Sequence, residues 1–171
     1  MCQLRPELAH INIGKVAISF SKTKNNKASG LLASLTPLRF EGGSTVTSKN
    51  GFLYEIPPLI INGTTMLYIL SFMYPRFINL PLEGKIHTII HELWHISEKF
   101  NGDIRRFQGR TFAHSGRKAN FEKQVDTIAR KWNVQSSFDT KILSMNSYQL
   151  KRSFGKVVGQ RIAKPRIFKL P

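Results

Sequence analysis

IIHELWHISEKFNGD, residues 89–103, sets two histidines and a glutamate into an apolar run. Ile86, Ile89, Ile90, Leu93, Trp94 and Ile96 recur so as to cover most of a helix circumference, and a helix apolar nearly all round is buried. Pro81 and Glu83 suit a first turn, Asn79 or its successor can cap it, and Gly102 is a stop signal. The spacing therefore predicts a helix over 81–100. His91 and His95, four residues apart, leave one face of it about one turn apart. Their imidazoles can reach one ion at the zinc–nitrogen distance of about 2.0–2.1 Å. Glu92 sits about 100° round the helix, near such an ion without having to bind it. It is placed to take a proton from water there, the general-base role of hydrolysis.

H-E-x-x-H is a hypothesis until its surroundings fit. Two histidines and a glutamate on a buried helix are costly unless paired or bound to metal. A hydrogen-bonded core histidine accounts for a lone residue, but it accounts poorly for this cluster. A catalytic zinc also needs a third protein ligand and an open position. The metzincin pattern would put histidine at 101, where this chain has Asn101. Three candidates remain, ranked His114, Asp103, Glu122. Asp103 follows the helix end and could instead bind Arg105 and Arg106 or orient a ligand histidine. Glu122 lies in the next helix. His87, one turn before His91, reads as a neighbour rather than a partner of the ligands.

Upstream, residues 16–20 (VAISF) and 31–40 (LLASLTPLRF) read as strands, and 41–51 as a turn-rich stretch. Residues 52–63 and 65–74 read as two more strands around Asn62–Gly63, a favoured hairpin turn. Pro57 and Pro58 push the first towards a sheet edge. The second, apolar on both faces, belongs inside the sheet. Downstream, Phe121, Val125, Ile128 and Trp132 form one stripe and predict a helix over 117–133. The expected class is α+β: a small mixed sheet packed on the buried H-E-x-x-H helix, a second C-terminal helix and a basic tail. Residues 1–135 form the domain and 136–171 a basic, flexible tail.

The chain's 171 residues suffice for one core, and 41% hydrophobic residues is ordinary for a globular protein. No apolar run is long enough to span a membrane, and the first residues lack a signal-peptide pattern. A single cysteine, Cys2, excludes an internal disulfide and a zinc ribbon, and points to the cytoplasm. The net charge is +16, and residues 151–171 carry seven basic side chains and no acid. Such a field favours polyanions, nucleic acid above all, though a solvated tail has the same composition.

Strands, then HELWH, then a histidine before another helix resemble the minimal zincin metallopeptidases of the SprT/Spartan-like and phage-type groups. In those families a histidine opening an HGxxF-like segment supplies the third ligand. The resemblance carries that role to His114, in HSGRKANF, with a longer gap before Phe121. A longer likeness, to a bacterial group of uncharacterised metallopeptidases, spans about residues 5–133. The resemblance implies a zincin-like fold, one zinc per chain and a protein or peptide substrate held along a strand, Thr65–Tyr74 or its neighbour. SprT-like proteins often add a C-terminal zinc ribbon, which one cysteine cannot build. Two functions follow as expectations. One is a zinc metallopeptidase with ligands His91, His95 and His114 and base Glu92. The other is a nucleic-acid-binding module whose zinc site is structural or vestigial.

Overall fold

The computed structural model describes residues 6–23, 30–106, 118–135, 140–156 and 158–171. Strands β1 (Val16–Lys22), β2 (Ala33–Pro37) and β7 (Tyr68–Tyr74) form a mixed sheet in the order β1-β7-β2. β7 runs parallel to β1 and antiparallel to β2. Its first five residues are buried, as expected of a strand apolar on both faces. Tyr68, Leu70 and Phe72 join Val16, Ala33, Leu93 and Ile96 on one side, while Ile69 packs with Ala17, Leu38 and Met66 on the other.

Two hairpins flank this sheet. β5 (Leu59–Ile61) and β6 (Thr64–Met66) turn on Asn62–Gly63, both at positive φ, as the sequence indicates. The strand expected over 65–74 is divided between β6 and β7. β3 (Val46–Lys49) and β4 (Phe52–Glu55) turn on Asn50–Gly51 within the stretch read only as turn-rich. That dipeptide is the same hairpin signal, preceded by a strand, VTSK, too short and polar to show a pattern, while the strand expected over 52–63 is divided between β4 and β5.

Helix α1 (Leu82–Trp94) carries the H-E-x-x-H segment and packs between the sheet and α2 (Lys118–Gln135). Ile86 and Ile90 meet Phe121, Val125, Ile128 and Ala129 of α2, while Leu93 faces the sheet. The helix ends six residues before the expected position. Ile96 bridges Ile104 and the Arg105 N–H donates to the His95 carbonyl at 2.6 Å, so the chain turns back directly after the second histidine. Phe100 and Gly102, both at positive φ, make the bend. The buried Tyr68 hydroxyl fixes it, accepting the Gly102 N–H at 2.9 Å and donating to the Asp103 carbonyl at 2.8 Å. A glycine so close to the periodic run was read as the helix stop, whereas it serves this turn.

Beyond residue 139 the chain forms α3 (Lys141–Ser144), α4 (Ser147–Phe154) and β8 (Phe168–Lys169), the last paired with β4. Lys85 of α1, 1% exposed, donates to the carbonyls of Leu143 and Met145 at 2.8 and 2.7 Å and ties the α3–α4 junction to α1. The fold is thus a small α+β one with small sheets and several helices. Among the described residues no helix is long and apolar enough to cross a membrane.

Candidate metal centre

His91 lies in the last turn of α1, and His95 is its C-cap, with its N–H bonded to the carbonyls of Glu92 and Leu93. Their Nε2 atoms stand 3.3 Å apart. Two imidazole nitrogens, each about 2.0–2.1 Å from one tetrahedral ion, would be separated by roughly 3.3–3.4 Å. Both rings rest on Phe121, which is 1% exposed. His95 stacks on it at 4.7 Å between centroids, and His91 meets it edge-on at 5.0 Å. The backbone bond from Arg105 holds the His95 end, and the Arg105 guanidinium lies 4.0 Å over the neighbouring Trp94 ring.

Glu92 is buried beside β2, at 8% exposure. Burial pushes its carboxyl up to about 7, against the opposing pull of a hydrogen bond from the Leu35 backbone N–H. The register explains why that N–H is free to reach it. Leu38 N–H bonds Leu67 and Met73 N–H bonds the Leu32 carbonyl, so even-numbered positions of this strand face β7. Leu35, at an odd position, turns its N–H outwards. A long-range backbone partner of this kind leaves no local mark in a sequence.

α2 supplies two carboxylates one turn apart opposite two histidines one turn apart. Asp126 Oδ1 is 3.0 Å from His87 Nε2. Glu122 lies 3.7 Å from His91 Nδ1 and 3.9 Å from His87 Nε2. Glu122 therefore approaches the side of the His91 ring away from His95, where a carboxylate orients a ligand histidine. Its 122/126 spacing against 87/91 is the sequence signal that could have indicated this approach.

Asp103 is placed elsewhere. Its carboxylate accepts from the Gly42 and Ile104 N–H groups at 3.0 and 2.8 Å and from Arg106 through two bonds of 3.0 Å. It anchors the loop after α1 and does not reach the histidine pair, whereas its expected pairing with Arg106 is present. His114 lies outside the described residues. Among the described residues no group of three or more ligating side chains is assembled.

The chain matches no family model, no curated protein and no solved structure.

Proposed function

We propose that the chain is a zinc-dependent metallopeptidase with a zincin-like site. His91 and His95 hold the ion, His114 is the third ligand, and Glu92 is the general base. The observation that carries this reading is the 3.3 Å separation of the two Nε2 atoms, the spacing of two ligands on one tetrahedral ion, with a buried carboxylate on the intervening turn. Zinc bound there would polarise the scissile carbonyl and acidify a water molecule. Glu92 would accept a proton from that water and return it to the leaving amine. Phe121 excludes water from one side of the two rings and keeps them facing each other.

β7 lies between two neighbours, so the substrate strand is assigned to β2, which has a partner on one side only among the described residues. An extended peptide adding there would use the Ala33 N–H and the outward carbonyls of Ala33 and Leu35, because Leu35 N–H serves Glu92 and Pro37 has none. The contrasting reading, a binding module with a structural zinc, gives an unligated buried carboxylate between two ligands no task. Elemental analysis of untagged protein grown with added zinc tests the proposal. About one zinc per chain is expected, and a content well below one equivalent would overturn it.

A further inference from the structure

Residues 140–171 contain eight lysines and arginines and no acid, half of the net +16. Much of this charge is displayed on an anchored scaffold. α4 starts at a capping box in which Asn146 accepts from the Gln149 N–H and the Gln149 side chain accepts from the Asn146 N–H. Ser147 donates through its N–H and its hydroxyl to Asn79 Oδ1, at 3.1 and 2.7 Å. Leu150 is half-buried, and Lys85 holds the preceding turn.

The outward face of α4 carries Tyr148, Lys151 and Arg152, at i, i+3 and i+4, so an aromatic ring is flanked by two cations. Tyr148 is 71% exposed, more than any other aromatic residue described. Past the Gly155 C-cap, Lys156, Arg161 and Lys164 are also exposed. Gln160 accepts from the Phe20 N–H and Ile162 N–H donates to Ser19 Oγ, which pins this segment along β1. Among the described residues none of these five cations makes an ion pair.

We infer that the α4 face binds single-stranded nucleic acid, with Tyr148 as a stacking platform for a base and Lys151 and Arg152 on the adjoining phosphates. Unneutralised cations alone would suit any polyanion. The exposed ring between them selects a strand whose bases are unstacked, since a duplex offers no base face to it. A membrane surface fits less well, because Tyr148 stands among Gln149, Lys151 and Arg152, and Phe154, the other exposed ring of α4, lies about 120° round the helix from it, so the two do not form one apolar face.

The test is fluorescence anisotropy of the full chain with a labelled oligothymidylate of about 20 nucleotides, longer than one site of this kind needs. A duplex of equal length and phosphatidylserine vesicles are the comparisons. The single strand should bind more tightly than the duplex and lose affinity steeply with salt. Tyr148→Ala should weaken it about 5- to 100-fold with the salt slope unchanged, and Tyr148→Trp should restore it. Replacing Lys151 and Arg152 by alanine together should reduce the slope by about 1.4. Tyr148→Ala binding like wild type, duplex binding as tightly as single strand, or vesicles bound in place of oligonucleotide would each overturn the inference.

Discussion

A carboxyl that stays protonated in the fold at pH values where it ionises in the unfolded chain makes stability depend on pH in a definite direction. Glu92 is held up to about 7 by burial, against an ordinary value of 4.5. Between these values the unfolded chain binds fewer protons than the folded one, so stability falls as pH rises and levels off above about 7. In zinc-free protein, Glu92→Gln removes this dependence. Denaturant melts across pH 4 to 8 should show the variant gaining on wild type by up to a few kcal/mol. A constant gap would mean that the carboxyl is not desolvated. With zinc present the same variant should keep its metal and its fold, since Glu92 is assigned no ligand role, while peptidase activity drops about 10²–10⁴-fold. Suitable substrates include basic DNA-bound proteins as well as casein. Equal, zinc-dependent cleavage by both proteins would rule out Glu92 as the base. The approach of His91 and His95 was legible because a helix converts an i, i+4 spacing directly into a shared face. Leu35, whose N–H sits on the carboxylate, was not, because strand register is fixed by pairing more than 30 residues away.

Helices α1 and α2 determine which donors can meet, and here the sequence was only partly informative. The stripe of Phe121, Val125 and Ile128 gave α2 and its contact with α1, since apolar periodicity survives in any packing. The end of α1 was misjudged because the signal at Gly102 belongs to a turn secured by Tyr68, far away in the chain. That turn carries Asp103 into bonds with Gly42 and Arg106 and away from His91 and His95. Asp103→Ala should therefore leave zinc occupancy unchanged while costing about 2 kcal/mol or more of stability, through buried donors left unpaired. Glu122→Gln should weaken zinc binding about 10- to 100-fold without abolishing it, as expected for a carboxylate that orients His91 from its Nδ1 side. His114→Ala should instead be as damaging as His95→Ala. Competition titrations with a chromophoric chelator separate the three cases. Full occupancy in His114→Ala with loss in Glu122→Gln would transfer the third-ligand role to Glu122.

At the scale of the whole molecule, a chain segment dense in like charge still finds a place on the fold. Composition alone gave 136–171 as a basic, flexible tail, because self-repelling cations hide the few apolar positions among them. Ile162 packs against the cluster of Ala17, Leu38, Met66 and Ile69, Gln160 accepts from the Phe20 N–H on the outer edge of β1, and β8 extends β4. Gly159 is what permits the approach: a Cβ there would lie 2.8 Å from Phe20 Cβ. Truncation would remove charge and packing together, and loss of self-repulsion could mask loss of contacts. Gly159→Val separates the two, since every cation remains while the segment is wedged off the strand. Losing Ile162 burial and two hydrogen bonds should cost about 2–4 kcal/mol, or roughly 5–15 °C in Tm for a chain of this size. It should also leave the β1 edge open to pairing between chains, visible as concentration-dependent aggregation. A full-length variant with Arg161, Lys164 and Arg166 changed to glutamine should melt no lower than wild type, because none of the three is in an ion pair among the described residues. Should Gly159→Val melt like wild type, the segment contributes nothing to the stability of the sheet, and its contacts with β1 are incidental to the fold.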